Sequence, residues 1–263
     1  MPKISQRNIA DTGIEIDTLG FGCAPLGNLY KCISDADAMD VLSAAWDAGF
    51  RYFDTAPHYG QGLSERRVGD YLRQFRDQNY LLSSKVGRLL RPAGYATERH
   101  GYVSPMPFDF YYDYSFDGIM RSFEDSLQRL GLECIDILYM HDIGTMTHGD
   151  INYGYFKTAM DGGYRAMDEL RSDGRVKAIG LGVNEWQVCE EALDYGDWDC
   201  FLLAGRYTLL EQEALNTFLP KCEKRNCSII IGGAYNSGIL ARGVRGSGPH
   251  LYDYVDASDH VIS

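Results

Sequence analysis

Apolar runs of strand length alternate with stretches of helical period along most of the chain, with turn residues at the junctions. The runs cover 19–23, 51–55, 80–85, 135–141, 176–183, 200–204 and 228–231. Between them, amphipathic segments predict helices over 34–48, 64–75, 115–130, 155–172, 185–195 and 211–224. Ser34 is placed to N-cap the first and Gly49 to end it. The runs are near-continuously apolar, which suits parallel strands covered on both faces and joined by right-handed crossovers. No repeat and no Pro/Gly linker interrupts the series, so 1–263 reads as one domain. A doubly wound sheet would carry a glycine-rich phosphate turn after its first strand, but Gly20-Phe21-Gly22-Cys23-Ala24-Pro25 is not GxGxxG. The predicted fold is α/β, a (β/α)8 TIM-barrel type. Residues 232–263 hold no eighth strand pattern, and the eighth βα unit is expected to be absent. The length, 263 residues, agrees with a barrel of roughly 250.

The longest insertion, 89–113, follows the third run and is rich in Tyr, Phe and Pro. It is either a lid over the strand C-termini or an aromatic plug on the barrel exterior. The second, third and fourth runs each end in a polar residue: Asp54, Lys85 and His141. Strands that are neighbours lie about 4.8 Å apart, so these side chains would converge at one mouth, with Tyr59 in the loop above Asp54. Singly, each has an ordinary structural reading: a loop-capping Asp, a solvent-reaching Lys, a satisfied His. Together they make an acid/base set in which a nearby ammonium lowers the pKa of a phenol, Asp54 holds the ammonium and His141 hydrogen-bonds the reacting oxygen.

The chain has 25 basic against 37 acidic residues, a formal net charge of −12. Such a field repels phosphate backbones and anionic lipid, which excludes nucleic acid and membrane surfaces as partners and favours an uncharged small molecule. The start of the chain lacks the apolar run of a signal peptide, and seven scattered cysteines show no CxxC pair and no zinc spacing. A cytoplasmic location and no metal are expected.

The segment Gly49 to Gly60, Gly-Phe-Arg-Tyr-Phe-Asp-Thr-Ala-Pro-His-Tyr-Gly, followed by Leu63-Ser64-Glu65 and Gly69, resembles the first signature of the aldo-keto reductases. Ser122 to Leu132, Asp136 to Asp142 and Lys177 to Asn184 continue the likeness, which runs from about Ile14 to Gly243. The resemblance implies a barrel that moves hydride between NAD or NADP and a carbonyl or alcohol, with a tetrad falling on Asp54, Tyr59, Lys85 and His141. Met140 to Gly144 and Gly232 to Leu240 are similar to the branch holding L-fucose, D-threo-aldose and L-galactose dehydrogenases, with pyridoxal 4-dehydrogenases as relatives. That implies oxidation of a sugar's C1 hydroxyl, or of a hemiacetal of similar shape. Asn184 matches the residue that binds the nicotinamide carboxamide, and Tyr235, Asn236, Ser237 and Gly238 match the loop along the pyrophosphate. Two positions depart from the pattern: the sixth-strand Gln is Ala204, and the aromatic that stacks on nicotinamide is Gly232, a change the aldose branch shares. The family's eighth unit surrounds the adenosine phosphate, so NAD and NADP are not distinguished. A second expectation is a truncated, catalytically weak or inactive barrel acting as a fragment or interaction subunit, self-associating through its incomplete wall. A metal-dependent hydrolase lacks its paired His ligands.

Overall fold

A computed structural model describes residues 4–245 and 250–262. Its centre is a parallel sheet of seven strands: β1 (Phe21–Gly22), β2 (Tyr52–Asp54), β3 (Leu81–Val86), β4 (Ile137–His141), β5 (Ala178–Val183), β6 (Cys200–Ala204) and β7 (Ser228–Gly232). Each strand pairs with the next in chain order, and β1 and β7 are the two ends. The fold is of the (β/α)8 barrel type lacking one unit, and among the described residues no eighth strand joins the sheet. Leu251–Tyr252 and Val255–Asp256 instead form a separate antiparallel ribbon.

Side-chain period decides what each strand contributes. Tyr52, Ile137, Tyr139, Ala178, Cys200 and Leu202 make an inner core. Asp54 and His141 continue the same alternation as Tyr52 and Tyr139 along their strands, as Lys85 continues that of Ser83. Tyr52 Oη lies 3.0 Å from Ser83 Oγ, which places that alternate set of β3 inside as well. Gly182 of β5 leaves room for the lysine, since a Cβ there would lie 3.2 Å from Lys85 Cε. The opposite end is closed by a hairpin, Gln6–Ile9 with Ile14–Asp17, whose Ile9, Ile14 and Ile16 enter the inner core. Sequence pattern assigned no element there.

The predicted helices form with shifted ends. Asp35–Asp47 (α1) is capped by Ser34, whose side chain accepts from Asp37 N–H while the Asp37 carboxylate accepts from Ser34 N–H; this is a capping box. Leu63–Leu72 (α2) runs on as a 3₁₀ turn through Phe75. Ser64 Oγ donates to Cys23 O (2.8 Å), and Glu65 accepts from Ser84 (2.8 Å) and pairs with Arg129, so the Ser-Glu of the signature pins α2 to the sheet and to α3 (Phe116–Leu130). The segment predicted as one helix over 155–172 divides into Asn152–Thr158, a π turn Ala159–Gly163 and α4 (Tyr164–Ser172). The π turn contains Gly162 and Gly163, where a Cβ would lie 2.9 Å from Phe116 N and 2.7 Å from Tyr114 O. Trp186–Ala192 is α5 and Phe218–Lys224 is α6. The last is shorter than predicted because Pro220 is accommodated only in a first turn.

The 89–113 insertion is a hairpin, Arg88–Pro92 with Phe108–Tyr112. Tyr102 and Phe110 stand edge-on to His58, ring centroids 5.3 and 5.0 Å away, so the insertion covers the C-terminal mouth rather than the barrel exterior. No helix among the described residues is long and apolar enough to cross a membrane.

Candidate active site

Asp54, Lys85 and His141 meet at the C-terminal ends of β2, β3 and β4. Lys85 Nζ donates to both oxygens of Asp54 (2.9 and 2.7 Å) and to Thr55 O (3.0 Å). Ser83 Oγ adds a 2.7 Å bond to the same carboxylate. Tyr59 is delivered by the tight turn after β2, where Gly60 takes φ +67° and a Cβ would lie 2.4 Å from Gly27 O. Its ring lies under the ammonium, 4.7 Å from Nζ to the centroid, and 6.3 Å from the His141 ring. The four residues named from sequence are thus brought together.

Electrostatics correct one expectation. From sequence, the ammonium should lower the Tyr59 pKa, but burial, followed by the negative Asp54 and then Tyr254, pushes the phenol well above its ordinary value. Burial is the larger cause, and Asp54, in contact with Lys85, offsets the charge of the ammonium at the ring. Tyr59 is therefore a phenol at neutral pH. Burial, then the nearby Arg88 and Lys85, holds His141 well below the ordinary histidine value, so its imidazole is neutral. His58 is depressed by burial and by Arg88 in the same way. This cluster can hand a proton to an oxygen or accept one from it, and the neutral imidazole can hydrogen-bond that oxygen without charging.

Asn184 stands just beyond β5, its Nδ2 donating to Asp142 Oδ1 (3.3 Å) while its Oδ1 accepts from Tyr254 Oη (3.4 Å). In the loop after β7, Tyr235 is exposed, Asn236 is buried and donates to Gly205 O (3.1 Å), Ser237 accepts from Tyr254 N–H (2.9 Å), and Gly238 has φ +104° with open space around it. The loop thus borders the same mouth. These groups suit the nicotinamide end of a dinucleotide: an amide whose oxygen faces the Tyr254 hydroxyl, a glycine at 232 whose Cβ would have nothing nearer than 3.6 Å, and buried His141 Nδ1 and Asn236 Oδ1 without protein partners.

Four further residues at this mouth escape sequence reading. His58 and Asp142 lie inside the family-like motifs, and Arg88 is three residues after Lys85, but nothing in their spacing marks them. Arg88 forms a buried ion pair with Asp142. Tyr254 sits at the turn of the 251–256 ribbon, which Asp253 fastens to Arg206 through two 2.7 Å bonds.

Residues 18–256 match the Aldo/keto reductase family. Pyridoxal 4-dehydrogenase of Microbacterium luteolum is 45% identical over 98% of this chain and 78% of its own length. D-threo-aldose 1-dehydrogenase of a Pseudomonas species is 41% identical over 89% and 70%. Among solved structures, the holo form of an aldo-keto reductase from Bacillus halodurans superposes with a TM-score of 0.68 at 24% identity, covering 94% of this chain and 70% of that one.

Proposed function

We propose that this chain, which belongs to the aldo/keto reductase family, is a dehydrogenase that oxidises the ring hydroxyl of a cyclic hemiacetal with NAD or NADP. The observation that carries this reading is the gathering of Asp54, Lys85, Tyr59 and His141 at one barrel mouth. An aldose closes to a cyclic hemiacetal, and so does an aromatic aldehyde with a neighbouring hydroxymethyl group, such as pyridoxal. Loss of hydride from such a ring carbon and of the proton from its hydroxyl gives a lactone. The acidic surface is compatible with an uncharged substrate of this kind.

When bound, the nicotinamide supplies the carbon that accepts or donates hydride. Asn184 would hold its carboxamide, and the 235–238 loop would lie along the pyrophosphate. Tyr59 carries the substrate proton, as phenolate in oxidation and as phenol in reduction. Asp54 keeps Lys85 against the Tyr59 ring, and His141 orients the reacting oxygen. Its neutrality matters, because an imidazolium beside Lys85 and Arg88 would add a third buried positive charge.

Titrating NADH and NADPH separately into the protein, followed by nicotinamide fluorescence, tests the cofactor. Reduction of NAD or NADP in the presence of aldoses and of pyridoxal then tests the substrate class. Absence of binding by either dinucleotide would remove this reading and leave an inactive barrel. Among the described residues no further strand pairs with the outer edges of β1 and β7, which favours self-association as a further property, since unpaired strand edges accept other chains. Sedimentation across a concentration series measures it.

A further inference from the structure

Asp142 follows His141 at the end of β4 and takes a left-handed backbone, φ +49°, a region non-glycine residues seldom occupy. Its main chain is fixed on both sides: N–H donates to Gly182 O (3.1 Å), and C=O accepts from Tyr114 Oη (3.1 Å). The residue is 6% exposed. Its carboxylate touches three groups from three parts of the fold. Arg88, at the root of the lid hairpin, pairs with Oδ2; His141 Nε2 lies 3.4 Å from the same oxygen; Asn184 Nδ2 donates to Oδ1 at 3.3 Å. Arg88 is itself held against the rings of Phe110 (4.7 Å) and Tyr112 (5.3 Å).

A purely structural role, pinning the hairpin to β4, explains the Arg88 contact. It does not explain why the carboxylate also binds the Asn184 amide. Hydrogen-bond chemistry does. An ionised carboxylate only accepts, so the amide beside it must turn its NH₂ toward Asp142 and its oxygen away from it, toward Tyr254 Oη. A tyrosine hydroxyl can donate or accept, so Tyr254 alone would leave the amide free to flip without Asp142.

We propose that Asp142 is a positioning residue that sets the Asn184 amide to receive a carboxamide NH₂, with Arg88 as its counter-charge. The inference rests on the dehydrogenase reading, because it takes its meaning from the role given there to Asn184. It also ties the lid to the chemistry: the cation that stabilises Asp142 is the hairpin's first residue.

The test compares two ligands on the full chain by calorimetry: the preferred dinucleotide, and the matching ADP-ribose fragment that lacks nicotinamide. Asp142→Asn keeps the shape but can present NH₂ to Asn184, which frees the amide to flip. Weakening of the dinucleotide by about three- to tenfold, the worth of one hydrogen bond, is expected, with fragment affinity within about twofold of the parent. Asp142→Glu, again an acceptor only, should recover part of the loss. A dinucleotide affinity unchanged from the parent in Asp142→Asn would overturn the proposal, and so would parallel loss of both ligands, which a structural role gives. If Asp142→Asn does not fold, the Arg88→Met/Asp142→Asn pair, which removes the stranded guanidinium, is put through the same titrations, and the same two results would overturn the proposal. Failure of the parent chain to bind either ligand is a separate outcome: it strikes the dehydrogenase reading, and this inference with it.

Discussion

Replacing Lys85 by Met would remove the cation from the most enclosed part of the mouth. Lys85 is 2% and Asp54 14% exposed by side chain, and the ammonium spends its donors on both carboxylate oxygens and Thr55 O. With the lysine gone, Asp54 keeps only the Ser83 hydroxyl among these partners. Breaking a buried pair from one side costs about 3–5 kcal/mol, because a charge remains without compensation. For a chain of this size each kcal/mol moves Tm by about 2–4 °C, so Lys85→Met should melt about 6–20 °C lower. Asp54→Asn should also be destabilising, and the double variant should recover part of the loss, giving a coupling of about 1–3 kcal/mol. Urea unfolding followed by tryptophan fluorescence provides the cycle. Trp46 is a suitable reporter, since its ring stacks on Phe53, next to Asp54, at 6.2 Å. A Tm within about 2 °C of the parent, or losses additive to within about 0.5 kcal/mol, would show that the pair is not energetically coupled. A lost activity in Lys85→Met therefore counts as chemical evidence only if measured well below the variant's own Tm.

Tyr59→Phe removes a hydroxyl that has no hydrogen-bond partner among the described residues, so Tm should be unchanged while turnover falls about 10²- to 10⁴-fold; parental kcat would refute the proton-carrier role. Because burial and Asp54 raise the Tyr59 pKa, its base form is scarce below about pH 10. The oxidation rate should then climb about tenfold per pH unit from about pH 7 to 9 while reduction, which uses the phenol, stays flat; an oxidation rate indifferent to pH in that window contradicts the assignment. Gly180→Ala would place a Cβ 1.6 Å from Cys200 O on the neighbouring strand, a backbone clash costing at least about 1–3 kcal/mol; a parental melting curve would show that β5 and β6 can separate freely.

Local pattern determined a good deal. All seven sheet strands overlap apolar runs readable in the sequence, and Ser34 and Ser115 are N-caps because a serine hydroxyl meets orphan N–H groups wherever a helix begins. The convergence of Asp54, Lys85 and His141 was legible too, since consecutive parallel strands place equivalent ends side by side. Periodicity records burial along one element, and that information is local. It carries nothing about which groups meet across the fold. Asp142 and Asn184 are 42 residues apart and Arg88 and Asp142 are 54 apart, contacts set by how the loops return over the mouth. The N-terminal hairpin is short and only partly apolar, and its strands became legible only once they closed the barrel end. The sign of the Tyr59 shift belongs to the same class. Sequence showed that a lysine would be near, whereas the tertiary structure decided that the lysine's charge is spent on Asp54 and that burial prevails, because desolvation depends on everything packed around the ring rather than on any one neighbour.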